Sequence, residues 1–192
     1  MSRVERSEAT RALLVETARG LFAQRGYAAV GTEEIVRAAG LTRGALYHHF
    51  ADKRDLFRAV VEDVEQRLAA DIARTAGAVD PADALLVGAR AFLDACREQP
   101  VRRIGLIDGP AVLGWEEFRA IDARYGLGLV QATLQAAMDA GAIARQPVRA
   151  LAHVLLGAIT EAGMMVAQSG DPAATRDEVA AVLQRLIEGL RG

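Results

Sequence analysis

Residues 32–57 read TEEIVRAAGLTRGALYHHFADKRDLF, and the fold follows from how this stretch is punctuated. Thr32 carries a hydroxyl that caps a helix by accepting a free backbone N–H, and Glu33 and Glu34 suit the positive end of the helix dipole. Ile35, Ala38 and Ala39 recur at spacings of three and four, one face of a short helix. Gly40 stops that helix where a positive φ is called for. Leu41 leads to a second cap, Thr42, and a second helix from Arg43 to about His48. Asp52 caps a third, beginning at Lys53. Two short helices joined by a glycine-containing turn predict a helix-turn-helix, whose second helix enters the major groove of double-stranded DNA.

The second helix has a composition that suits this task. Leu41 and Leu46 anchor it, while Arg43, Gly44, Ala45, Tyr47 and His48 are left to face outward. Small residues at Gly44 and Ala45 let the backbone approach a duplex closely. A helix this short is not stable alone in water, so packing from Phe50, Leu56 and the preceding long helix must hold it. Arg43 is the candidate base reader, because a guanidinium grips guanine O6 and N7 with two hydrogen bonds; the alternatives are a phosphate contact or a solvated arginine. Tyr47 reads either as a DNA contact or as packing.

This stretch resembles the DNA-binding domain of the TetR (tetracycline repressor) family of bacterial transcription regulators. The resemblance rests on Phe22, Gly26, Tyr27, Thr32, Ile35, Ala38, Ala39, Gly40, Leu41, Gly44, Leu46, Tyr47, His49, Phe50, Lys53, Leu56 and Phe57. It covers about the first third of the chain, and its Gly-x-Leu-Tyr-x-His-Phe-x-x-Lys run is more specific than a generic helix-turn-helix. The resemblance implies an all-α, nine-helix fold, with a DNA-binding head over residues 1–51 and a helical ligand-binding and dimerisation body over 52–192. It implies DNA contacts from Thr32, Thr42, Arg43, Gly44, Ala45, Tyr47 and His48, a phosphate contact from Lys53, and a structural or backbone role for His49.

Charge agrees with a DNA-binding end. Residues 1–60 hold ten Lys/Arg and seven Asp/Glu, a net +3, and the remainder carries −5. Alone this is weak evidence; beside the helix-turn-helix it supports a basic head on an acidic body. The hydrophobic content of 52% excludes a disordered chain. Low aromatic content with abundant alanine and leucine favours helix over sheet. The first residues lack a charged-then-apolar leader, and the single Cys96 cannot form an internal disulfide, so a cytoplasmic protein is expected.

Taken in order, Arg3 and Arg6 read as solvated arginines in a frayed start. A helix from about Ser7 to Arg25 turns Leu13, Leu14, Ala18, Leu21 and Phe22 inward. The helix from Asp52 to about Thr75 has neither Gly nor Pro inside it and reads as a stiff lever. Asp80-Pro81 opens a helix to Glu98, and Pro100 separates it from a short helix to about Ile107. Asp108-Gly109-Pro110 predicts a break. Helices over 115–140, 147–169 and 172–191 complete nine.

Residues 148–166 are apolar nearly all round but interrupted by Glu161, which argues against a membrane span and for burial on two sides, one against a second copy. The expected homodimer seam comprises Leu155, Ala158, Ala162, Val179, Val182, Leu183, Leu186 and Leu190. His153 reads as a core histidine. A small-molecule effector, implied by the resemblance, would meet Phe92, Cys96, Ile104, Ile107, Trp115, Phe118, Ile121, Tyr125 and Met164, with Asp108 and Glu161 as the polar groups; plain core is the competing reading for each.

No metal or cofactor is expected. His48 and His49 are adjacent on a helix and splay apart, with no Cys or carboxylate to complete a site. No Ser-His-Asp spacing, H-E-x-x-H or phosphate loop appears, so an enzyme is not expected. The function implied is a ligand-responsive repressor on a palindromic operator. The alternative is a DNA-binding chromosome-organising or partner-regulated factor of the same fold; a side-chain-filled body would favour it, and a buried cavity would favour the repressor.

Overall fold

In the computed structural model, which describes residues 2–191, nine helices and no strand are present among the described residues. They are α1 (Arg3–Arg25), α2 (Thr32–Ala38), α3 (Arg43–His49), α4 (Lys53–Ala76), α5 (Pro81–Ala95), α6 (100–113), α7 (115–139), α8 (Val148–Gln168) and α9 (Pro172–Glu188). The side chain of Arg3 lies outside the described residues.

Local chemistry sets most of these boundaries. Ser2 caps α1 with a reciprocal Ser2–Glu5 capping box, so α1 starts four residues earlier than apolar spacing suggested. Its buried face is Leu14, Val15, Ala18 and Phe22, while Leu13 is exposed. Gly26 ends it with φ +80°, and a Cβ there would strike the Arg103 guanidinium. Thr42 caps α3, its Oγ1 accepting from the Ala45 N–H at 3.2 Å, and Asp52 caps α4, accepting from the Asp55 N–H at 2.7 Å. Gly31, not Thr32, is the N-cap of α2, and Thr32 is that helix's first residue. The apolar side of α2 is Ile35 and Val36 with half-buried Ala39; Ala38 is exposed.

α5 ends at Ala95, short of Glu98, and α6 then runs through Asp108-Gly109-Pro110 without the expected break. The reason is a change of helix type. Residues Pro100–Asp108 are π-helical and Gly109–Leu113 α-helical. Pro110 falls in the first turn of the α-helical part, where a missing N–H costs nothing. α7 contains a second π-helical stretch, Ala123–Leu127.

Two apolar clusters hold the chain. One gathers Leu14, Phe22, Ile35, Leu46, Phe50, Leu56, Phe57 and Val60 from α1–α4, together with Ile104, Leu113 and Ile121 from α6 and α7. Phe22, Tyr27 and Phe57 form its aromatic centre, with centroids 4.8–5.7 Å apart. The other joins α5, α7, α8 and α9 through Leu93, Phe118, Leu134, Ile159, Val166 and Leu183. α4, 24 residues long and so about 36 Å, takes part in the first with its N-terminal half and lines the body with Leu68 and Ile72.

α8 meets the length and hydropathy of a membrane span, yet half of it is packed into the bundle. Its outer face carries exposed His153, Val154, Glu161 and Met165, and α9 adds exposed Val182 and Leu186. His153 is therefore a surface residue and not a core histidine. Of the expected seam, Leu155, Ala162, Val179 and Leu183 are buried within their own subunit; Ala158 and Leu190 are half-buried, and Val182 and Leu186 stand free.

Candidate DNA-reading helix and body cavity

α3 is fixed from beneath and open above. Leu46 is fully buried and Phe50 nearly so, and Thr42 closes the first turn. The opposite side exposes Thr42, Arg43, Gly44, Tyr47 and His48, with Ala45 half-buried. Arg43 lies 5.4 Å from the Tyr47 ring centroid and 3.6 Å from Glu33, a loose and exposed pair that contributes little. Both side chains are free to turn to a new partner. His49 is half-buried edge-on to His48, and burial pushes its pKa below the ordinary histidine value. Thr32 is half-buried in the first turn of α2, whose cap Gly31 offers no side-chain acceptor.

Lys53 is differently placed from the exposed arginine. Its ammonium donates to the Tyr27 carbonyl at 2.6 Å and sits 4.0 Å from the Tyr27 ring centroid, and burial lowers its pKa. It clamps the beginning of the α1–α2 turn to the start of α4.

The α1–α2 turn and the start of α4 are tied to α6 and α7 by a short set of bonds. The Tyr27 N–H donates to Asp108 Oδ2 at 2.7 Å, and Arg103 reaches the same oxygen at 3.4 Å. Arg54 donates to the carbonyls of Val112 and Leu113 and to Glu117, and Arg58 also holds Glu117. α6 and the start of α7 are therefore anchored to the α1–α2 turn and to the start of α4.

A cavity of about 70 Å³ opens within the body. Its walls are Leu68, Ala69, Ile72, Leu85, Phe92, Leu129, Val130, Leu156 and Ile159, and its polar groups are Glu65, Asp122, Thr133 and Thr160. Of the residues expected to meet an effector, Phe92 alone lines it. Cys96, Ile104, Phe118 and Ile121 are packed core. Trp115 is 54% exposed and stacks on Phe118 with centroids 5.8 Å apart. Ile107, Tyr125 and Met164 are half-buried elsewhere, Glu161 is on the outer face, and Asp108 serves the Tyr27 N–H.

Glu65 and Asp122 were not anticipated, though a signal was present. Glu65 follows Val61 by four residues and precedes Leu68 by three, so it lies on the apolar stripe of α4. Asp122 stands in the same relation to Phe118 and Tyr125. A carboxylate on such a stripe has to be buried. Glu65 is 8% exposed and, among the described residues, makes no hydrogen bond or ion pair. Burial first, and the Asp122 charge second, push its pKa up to about 8. Asp122 is also pushed up by burial, which Arg119 at 2.5 Å and the Thr160 hydroxyl at 3.2 Å only partly offset. Both bonds fall on Oδ2.

Comparison with known proteins agrees with this arrangement. A family model described as bacterial regulatory proteins, tetR family, matches residues 14–60, and one described as tetracyclin repressor-like, C-terminal domain, matches residues 82–190. The chain is 31% identical over 128 residues to the transposon Tn10 TetC protein of Escherichia coli, covering 67% of this chain and 65% of that protein. It is 43% identical over 70 residues to the HTH-type transcriptional regulator AcrR of Shigella flexneri, covering 35% and 33%. It thus spans less than two thirds of these curated relatives. A crystal structure of a TetR-family transcriptional regulator from Pectobacterium atrosepticum superposes with a TM-score of 0.89 at 33% identity, covering 100% of this chain and 98% of that one. RolR in complex with resorcinol shares the fold, with a TM-score of 0.75 at 22% identity over 96% and 90% of the two chains.

Proposed function

The chain belongs to the tetR family of bacterial regulatory proteins, and from that premise we propose that it is a cytoplasmic transcriptional repressor that binds a palindromic operator as a homodimer and leaves it when a small molecule fills the body cavity. The observation that carries the reading is the pairing of a braced, outward-facing α3 with an apolar cavity along the far half of α4. A body filled by its own side chains would instead have favoured a regulator without a small-molecule effector. One relative in structure, RolR, has been solved in complex with resorcinol, which supports a small-molecule effector for a chain of this fold.

In this reading residues 1–51 are the DNA-binding head. Arg43 reads a base edge, with Tyr47 and His48 beside it, and Thr42, Gly44 and Ala45 at the backbone. Thr32 and the uncapped N–H groups of α2 suit a phosphate oxygen. Lys53 acts chiefly by fixing the α1–α2 turn. The second subunit covers the outer faces of α8 and α9 through Val154, Met165, Val182 and Leu186.

The switch runs through α6. Glu65 Oε1 lies close against Gly105, where a Cβ would stand 3.4 Å away. The neighbouring Ile104 is fully buried in the head-side cluster, and Asp108 holds Tyr27. A ligand favours DNA release only by binding better to the conformation with displaced heads, and the π-helical turns of α6 are the bistable part that it biases.

The test is selection of bound duplexes from random DNA with the purified chain, followed by anisotropy titration. An enriched inverted repeat that binds one dimer supports the reading. Binding with no sequence preference at physiological salt sinks it.

A further inference from the structure

The ionisable groups that line the cavity are all carboxyl groups. Two carboxyl groups, Glu65 and Asp122, line it, with no Lys, Arg or His among the lining residues. Arg119 reaches Asp122 from outside that lining and uses Oδ2. Glu65 is more than nine-tenths buried, faces the cavity and has no partner among the described residues. Its carboxyl oxygens open onto the cavity and not into packed core, so a ligand there can complete them.

Resting on the reading of this cavity as an effector site, we propose that the effector is a small hydrophobic amine, bound as its ammonium ion with the nitrogen on Glu65 and its apolar body against Ile72, Leu85, Phe92 and Ile159. An anionic effector would meet two carboxyl groups and no cation. A wholly apolar one would leave Glu65 unsatisfied. A neutral hydroxyl compound would form one ordinary hydrogen bond, whereas an ammonium forms a charge-assisted bond with Glu65 and gains the field of Asp122. Size adds a limit: about 70 Å³ of water-accessible space is less than the ~150 Å³ that admits a benzene ring, so one ring with a short arm enters only as lining side chains give way.

Binding also moves a proton. Facing Glu65 are Asp122 on α7, which Arg119 holds from the other side, the Cys96 thiol just past the end of α5, itself pushed up by burial, and the uncharged Gly105 of α6. None of these supplies a positive charge directly to Glu65, so the free protein holds it protonated at neutral pH. An arriving ammonium ionises it and the proton leaves to buffer.

Three probes of matched shape separate the possibilities: 2-phenylethylamine, 2-phenylethanol and phenylacetate, each titrated by calorimetry into the full chain at pH 7. The amine is expected to bind at least about tenfold more tightly than the alcohol, with no heat from the acid. Glu65→Gln is expected to reduce amine binding to the alcohol's level and to leave alcohol binding unchanged. Independently of any variant, amine binding to the unaltered chain should release close to one proton, read from its heat in buffers of different ionisation enthalpy. Equal affinity for amine and alcohol, amine binding unaffected by Glu65→Gln, no proton release, or no binding of the amine overturns the proposal. DNA release is scored separately: an amine that binds as expected without releasing DNA overturns the effector reading and leaves the ligand class standing.

Discussion

Tyr27 and Asp108 are joined by a 2.7 Å hydrogen bond from the tyrosine's backbone N–H to the carboxylate, across 81 positions of sequence. The bond links the turn that carries α2 to the π-helical end of α6. Lys53 seizes the carbonyl of the same tyrosine, so the Tyr27 backbone is held from the body on one side and from α4 on the other.

Asp108→Ala is expected to leave the Tyr27 N–H unpaired, at a cost of about 1–3 kcal/mol measurable by urea unfolding. Operator preference should survive, because α3 is untouched, but ligand-induced release should weaken. Release as complete as in the unaltered chain would show that the signal bypasses this bond.

Arg43→Ala should cost about 1–3 kcal/mol on the selected operator and relax the preference at one base pair per half-site. Lys53→Ala should chiefly lower stability, since its ammonium is engaged with Tyr27. Anisotropy on matched and single-mismatch duplexes separates the two. An intact sequence preference in Arg43→Ala would remove that residue from the reading role.

Val182→Glu and Leu186→Glu alter side chains that are 57% and 53% exposed in one subunit, so the subunit fold should persist. If α8 and α9 form the dimer seam, each variant buries like charges against their symmetry mates. Sedimentation should then report folded monomers at micromolar concentration with lost operator binding. Leu155 gives no such separation, being buried in its own core.

Glu65 makes stability depend on pH with an unusual sign for a carboxylate. Its pKa is about 8 in the fold against 4.5 for the free group, so between these values the unfolded chain has released a proton that the folded chain keeps. Stability is greatest below pH 4.5 as far as this group is concerned and falls as pH rises toward 8. Glu65→Gln should therefore raise the melting temperature more at pH 8 than at pH 5. An equal gain at both would mean that Glu65 ionises normally.

The head was legible in the sequence because its signals are local. Thr42, Gly40 and Asp52 act within a few residues of themselves, and Leu46 with Phe50 marks the buried side of α3. The miss at Thr32 is of the same kind: the glycine before it serves as the cap, and helix ends carry such one-residue ambiguity. The cavity was not legible, because which of several apolar side chains leaves space unfilled depends on how four helices approach one another. Ile104 and Phe118 look no different in sequence from Leu85 and Ile159, yet the first pair is packed solid and the second borders the cavity. The carboxylates on apolar stripes, Glu65 and Asp122, carried the signal for it and were passed over.

The wide turn at Ala123–Leu127 bears on how the gene can change. A π turn holds one residue more than an α turn, in effect an insertion absorbed on the spot. Losing a residue there restores regular helix and keeps Leu134, Ala137 and Met138 in phase with Phe118 and Ile121. Losing one within Gly128–Asp139 instead turns everything beyond it by about 100° and carries buried side chains into water. Asp122 and Gly126, both on the cavity wall, sit at this forgiving point. Loss of a single codon there thus reshapes the chamber while the rest of the bundle keeps its register.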